Sequence, residues 1–352
     1  MKTRHYDFHH GIPEAELDEV IEAYRRGECL AFPTETVYGL GADLFNEEAV
    51  AKIFQAKGRP GDNPLIAHIG EAEALKELTG PLPEKALKLM EAFWPGPLTL
   101  VLDKGERVPL VATAGLSTIG VRMPDHPVIE SILVKGKLIL AAPSANLSGS
   151  PRPTEAAHVA WDLEGRIYGI IDGGPCQEGI ESTILDMTCE PPVLLRPGTI
   201  TREELEEEIG QVEMDPSLLG EEAAIPRAPG MKYRHYAPKA RVTIIRGKES
   251  LEALKEEMER LGSDEGRSAL VVFEEHLSHY KSLPIGYLMP LGGVSDLKHS
   301  IRNLYRILRD CDILEITDIF IEEVPETGLG FSYMNRLKKA AGQNFLKRSD
   351  ES

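Results

Sequence analysis

Apolar residues along this chain recur in two rhythms, one helical and one strand-like, and their alternation predicts an α/β protein. Leu17, Val20, Ile21 and Tyr24 repeat at helical spacing, which predicts a helix from about Glu14 to Arg26 stopped by Gly27. Cys29–Phe32 reads as a short apolar strand broken by Pro33. Asn46 can cap a second helix, with Glu47 and Glu48 in the first turn where the dipole favours them and Gly58 placed to end it. Further strands are predicted at Leu65–Ile69, Leu98–Leu102, Thr118–Met123, Leu138–Ala142, Ile167–Ile171, Thr183–Met187 and Val193–Leu195. Thr201 and Glu204 form a T-x-x-E capping box that opens a helix to about Ile209, and this helix closes a first domain, 1–213.

From Met214 to Ala240 the periodicity stops. Pro216, Pro226, Pro229 and Pro238, with Gly220 and Gly230, make this stretch a linker, either a passive tether or a lid over a site. A smaller α/β domain, 241–352, follows. Its expected elements are a strand at Arg241–Arg246, a helix at Ser250–Leu261 and a strand at Ala269–Phe273. A long helix from about Ser295 to Leu314, a strand at Ile319–Val324 and a helix at Leu329–Ala341 complete it, before a polar, frayed tail.

Charge narrows the function. The 57 acidic side chains exceed the 39 basic ones, for a net charge of -18, whereas a surface that tracks a nucleic-acid backbone needs Lys and Arg in excess. The balance points to a small anion held in a pocket, with no direct nucleic-acid binding. Cys29, Cys176, Cys189 and Cys311 lie far apart, as expected of reduced thiols rather than a zinc site or a disulfide framework. The N-terminus lacks the apolar run of a signal peptide and no segment has the length of a membrane span, so a soluble cytoplasmic protein is expected.

Walker-type, dinucleotide-fingerprint, HExxH and GxSxG signatures are all missing, so any use of ATP proceeds without a P-loop. What the chain does carry is a set of short polar motifs at predicted strand ends, where α/β proteins place their ligands. Pro33-Thr34-Glu35-Thr36 and Tyr38-Gly39-Leu40-Gly41 read as a turn, either simply capped or bringing amides to a ligand. Lys57 and Arg59 flank Gly58 at a helix C-terminus, where cations suit the dipole and can also bind polyphosphate; Asn63 and His68 follow. Arg122 sits inside an apolar strand, so its head reaches solvent, joins a structural salt bridge or meets an anionic ligand. Ser144-Ala145-Asn146, Glu181-Ser182-Thr183 and Arg196-Pro197-Gly198 are each weak alone.

In this order the motifs resemble the YrdC-like family of threonylcarbamoyl-AMP synthases, over roughly Gly11 to Ile209. Pro229-Gly230-Met231, His235-Tyr236-Ala237-Pro238, Asn335-Arg336-Leu337 and Lys339-Ala340-Ala341 extend the resemblance to the longer, two-domain branch. It implies an open, twisted mixed-sheet α/β domain followed by a smaller Rossmann-like one. The implied reaction takes L-threonine, bicarbonate and ATP to threonylcarbamoyl-AMP and pyrophosphate. Its product is passed to a separate tRNA threonylcarbamoyl transferase. By the same resemblance Lys57 and Arg59 are catalytic, and Thr34, His68, Arg122, Ala142 (through its backbone) and Ser182 contact threonine. Lys57, Arg59, Asn63, Thr118, Ser144, Asn146, Arg152, Arg196 and Tyr236 contact ATP, which is a substrate here. Mg²⁺ is expected to arrive on the triphosphate, with no protein-held metal. The competing reading is a double-stranded-RNA-binding or ribosome-associated module of the same fold.

Overall fold

The computed structural model describes residues 2–220, 236–246, 251–262 and 265–346. It divides into two compact units. The first comprises Met1–Ser148 and Arg152–Tyr233, the second Gly149–Pro151 and Arg234–Ser352.

The strands of the first unit are β1 (Arg4–Asp7), β2 (Leu30–Phe32), β3 (Gly39–Asp43), β4 (Ile66–His68), β5 (Leu98–Asp103), β6 (Thr118–Arg122), β7 (Leu140–Ala142), β8 (Gly169–Asp172), β9 (Thr183–Asp186), β10 (Val193–Arg196) and β11 (Glu213–Met214). Its helices are α1 (Glu14–Arg25), α2 (Glu47–Lys57), α3 (Leu75–Leu78), α4 (Glu84–Phe93), α5 (Leu110–Thr113), α6 (Pro127–Gly136), α7 (Ala156–Leu163) and α8 (Arg202–Ile209). The strands form one open mixed sheet in the order β1-β8-β2-β3-β7-β4-β6-β5-β9-β10-β11. Parallel pairs β4–β6 and β5–β9 alternate with antiparallel pairs β4–β7 and β5–β6.

The central strands β2 and β7 split their side chains between two apolar layers, as a pleat of period two requires. Ala31, Leu40, Ala67, Ile119, Val121 and Ala141 join Val50 and Ile53 of α2 and Leu89 of α4 on one face. Leu30, Phe32 and Leu140 join Val20 and Ile21 of α1 and Ile129 and Ile132 of α6 on the other. The predicted face of α1 is therefore the buried one, with Leu17, Val20, Ile21 and Tyr24 all inside.

One expected turn is a strand. Gly39 and Gly41 belong to β3, antiparallel to β2, because their missing side chains make room for a ring on the adjacent strand. A Cβ at Gly39 would stand 2.7 Å from Cζ of Phe32, and one at Gly41 2.7 Å from its Cε1. The linker also starts later than its composition suggests. Val193 and Leu194 pair with Glu213 and Met214, and Asp215 caps a short 3-10 turn over Pro216–Leu219. Most of the remaining linker, 221–235, lies outside the described residues, as does the polar tail 347–352.

The second unit has strands β12 (Arg241–Ile245), β13 (Ser268–Val272), β14 (Tyr287–Pro290) and β15 (Asp318–Glu322), with helices α9 (Leu251–Leu261), α10 (Leu277–Tyr280), α11 (Leu297–Ile313) and α12 (Leu329–Ala341). All its strand pairs are parallel, in the order β12-β15-β13-β14. Ile245, Leu270, Val272 and Phe320 pack with Leu254 and Met258 of α9 to form its core. Among the described residues no helix is long and apolar enough to cross a membrane.

Candidate active site

Strand register builds the pocket. Ile66 and His68 share the face of β4 opposite Ala67, and parallel pairing places His68 beside Arg122 and Ile66 beside Gly120. Antiparallel pairing brings Ala142 of β7 to Ile66. The alternation settles how an arginine fits an apolar strand: Ile119 and Val121 enter the core, while Arg122 lies on the opposite face, on the wall of a pocket. Thr34, Thr36, Tyr38, Gly39, Arg59, Pro143, Ser144, Arg152, Glu181, Ser182 and Arg196 complete most of the wall.

Four arginines on this wall are at most 9% exposed: Arg59, Arg122, Arg152 and Arg196. So many buried guanidinium groups need partners or a ligand. Arg122 Nη2 lies 2.5 Å from Glu35 Oε2, and its Nη1 donates to Thr36 Oγ1 at 2.7 Å. The Thr36 hydroxyl in turn faces Thr34 Oγ1 at 2.9 Å, and Thr34 Oγ1 closes the turn by donating to Val37 O at 2.7 Å. Arg152 Nε donates to Glu181 Oε1 at 2.8 Å and its Nη1 to Asn146 Oδ1 at 3.2 Å. Arg59 donates to the carbonyls of Asn63 and Pro64, and Arg196 to the carbonyl and hydroxyl of Ser182.

Helix α2 delivers the Lys57 and Arg59 pair. Asn46 caps it by accepting from the Ala49 amide, and Gly58 ends it in the left-handed conformation at φ 59°. The reversal sends the two cations to different places. Lys57 is buried and its ammonium donates to the carbonyls of Ser144 and Asn146, both at 2.5 Å. It clamps the turn from behind, while Ser144 Oγ donates to Asn146 Oδ1 at 2.6 Å.

His68 is neutral. Its Nδ1 lies 3.1 Å from the Ile66 carbonyl, which can only accept, so Nδ1 carries the proton and Nε2 keeps a lone pair. Burial, aided by the nearby Arg122 charge, pulls its pKa down to about 3.

Of the residues singled out from sequence, Thr34, Arg59, His68, Arg122, Ala142, Ser144, Arg152, Ser182 and Arg196 line this one pocket. Lys57, Asn63, Thr118 and Asn146 do not. Thr118 starts the strand that Arg122 ends, four residues and roughly 13 Å away. Tyr236 belongs to the second unit, buried there with its ring centroid 5.4 Å from that of Tyr305. Sequence reasoning misses Glu35 and Glu181, the partners of Arg122 and Arg152. Their one available signal is a carboxylate beside hydroxyls in PTET and EST.

A family model described as "Telomere recombination", of the Sua5, YciO and YrdC proteins, matches residues 22–198. A second, described as "Threonylcarbamoyl-AMP synthase, C-terminal domain", matches residues 200–342. The chain is 46% identical over 336 residues to the threonylcarbamoyl-AMP synthase of Bacillus subtilis, covering 95% of each. To that of Pyrococcus abyssi it is 46% identical over 324 residues, covering 92% of this chain and 93% of the relative. The solved structure of P. abyssi Sua5 complexed with L-threonine matches with a TM-score of 0.90 at 42% identity, covering 99% of this chain and 100% of that one.

Proposed function

The chain belongs to the threonylcarbamoyl-AMP synthase family, and from that premise we propose a nucleotidyltransferase that makes threonylcarbamoyl-AMP and pyrophosphate from L-threonine, bicarbonate and ATP. The observation that carries this reading is the convergence of Arg59, Arg122 and Arg196 with His68, Ser144 and Ser182 in one pocket. Arg122 takes the threonine carboxylate, a planar anion that suits a guanidinium fork. The Nε2 lone pair of His68 accepts a hydrogen bond from threonine's hydroxyl or amino group, with Thr34, Ser182 and the Ala142 backbone around it. Arg59, Ser144, Arg152 and Arg196 hold ATP, with Asn63 and Asn146 supporting from behind.

The chemistry needs no protein nucleophile. The threonine amine and bicarbonate form an N-carboxylate and release water. An oxygen of that carboxylate bonds to the α-phosphorus, and the bond from it to the bridging oxygen breaks as pyrophosphate leaves. Bicarbonate, the N-carboxylate and ATP are all anionic, so the barrier is chiefly that of bringing like charges together, and buried guanidinium groups lower it by position and charge. Lys57 acts through the Ser144–Asn146 turn that it holds.

Among the described residues no cluster of three His, Cys, Asp or Glu side chains is arranged to hold a metal. Mg²⁺ would come with the triphosphate and would supply charge neutralisation there. The enzyme works in the cytoplasm and hands its product to a separate tRNA threonylcarbamoyl transferase. Pyrophosphate release by the purified protein should require both threonine and bicarbonate. ATP cleavage that is equally fast without threonine would overturn the reading.

A further inference from the structure

Arg122 already has an anion. Glu35 Oε2 approaches its Nη2 to 2.5 Å, and the two side chains are 4% and 5% exposed. The approach lies off the N–H direction, so this is an ion pair rather than a hydrogen bond. Among the described residues the buried Nε and Nη2 of Arg122 and both buried Glu35 oxygens find no hydrogen-bond partner, and Nη1 is engaged by Thr36. Arg122 is on the pocket wall and Glu35 is not, which puts the carboxylate behind the guanidinium as seen from the pocket. Two further titratable groups feel the Glu35 charge, His126 and Cys176. Burial holds His126 below its ordinary value and pushes the Cys176 thiol up, so both are neutral and Arg122 is the counterion.

We propose that Glu35 is a specificity-determining residue that sorts the two anionic substrates by reserving Arg122 for a singly charged carboxylate. The inference rests on the threonine reading above. Attraction to Arg122 and repulsion from Glu35 both scale with the charge of the ligand, and in a buried site neither is strongly screened. Pairing therefore leaves little net field to draw a phosphate to this end of the pocket. It leaves the planar guanidinium in place on the pocket wall, a shape that suits a carboxylate. Like charge set against the wrong partner is a general device of specificity. Without Glu35 the same wall would present an uncompensated buried cation, which a phosphate would occupy in competition with threonine.

Calorimetric titration of the full-length protein with L-threonine, with and without inorganic phosphate and in the absence of ATP, tests this. For the wild type, phosphate should leave the apparent threonine affinity unchanged. Glu35→Gln should let phosphate weaken threonine binding by about tenfold at the same concentration, and Glu35→Asp should restore the exclusion. A purely structural role for Glu35 would lower stability or threonine affinity without creating phosphate competition. Phosphate competition in the wild type overturns the proposal even if Glu35→Gln fails to fold. So does a folded Glu35→Gln variant that excludes phosphate. Wild-type protein that binds no threonine overturns the functional reading together with this one, whereas threonine binding with phosphate competition overturns this one alone.

Discussion

His68 shows how much of a residue's chemistry its surroundings set. The ring titrates near 6.5 when unfolded, but burial and Arg122 lower that to about 3 in the folded chain. The sign of the consequence is fixed. Below pH 6.5 the unfolded chain takes up a proton that the folded chain refuses, so this group's contribution to stability is full above 6.5 and lost as pH falls towards 3. Each pH unit in that window carries up to about 1.4 kcal/mol. Denaturant unfolding at pH 6.5 and 5 should therefore show a shallower loss of stability in His68→Asn than in the wild type. Equal slopes would mean that the ring is protonated when folded. Functionally, His68 remains a hydrogen-bond acceptor across the whole range from about pH 5 to 8.

At the scale of elements, the site depends on how α2 ends. Its start is plain from Asn46, Glu47 and Glu48, and its end from Gly58. That end also separates Lys57 from Arg59, which a spacing of two residues could not reveal. Gly58 has φ 59°, and a Cβ added there would meet nothing within 4 Å, so the cost of a side chain is backbone strain alone. Gly58→Ala should lose about 1–2 kcal/mol in a denaturant titration. Gly61, equally open but without a left-handed φ, supplies the control, and Gly61→Ala should be close to neutral. Equal effects of the two substitutions would remove the argument. Gly39 and Gly41 teach the converse lesson: glycines that read as a turn are strand residues, required by a Phe32 ring that only sheet pairing brings over them.

At the scale of the whole molecule, two compact units share one chain. Composition alone suggests a linker from Met214 to Ala240, either tether or lid, but β11 and the turn over Pro216–Leu219 already belong to the first unit. A truncation that respects this ends after Gly220, which keeps the pairing of Met214 with Leu194. We expect residues 1–220 to fold and, where 221–240 contributes to nucleotide binding, to hold ATP about tenfold or more weakly than the full chain. ATP affinity equal to that of the full chain would make 221–240 a spacer.

The sequence by itself determined the α/β class, the caps of α2 and α8, the buried face of α1 and most of the motifs that line the pocket. These follow from local physics: periodic burial, helix-end hydrogen bonding and the backbone freedom of glycine act within a few residues. Tertiary structure alone decided which cations face the pocket and what neutralises them. Arg122 meets Glu35 from a strand far along the chain, and Arg152 meets Glu181 across 29 positions. Lys57 is drawn to the turn at Ser144 and Asn146 rather than to the wall. A charge pair at such separation leaves no periodic trace, because its geometry is set by the register of strands distant in the chain, and register is a property of the assembled sheet.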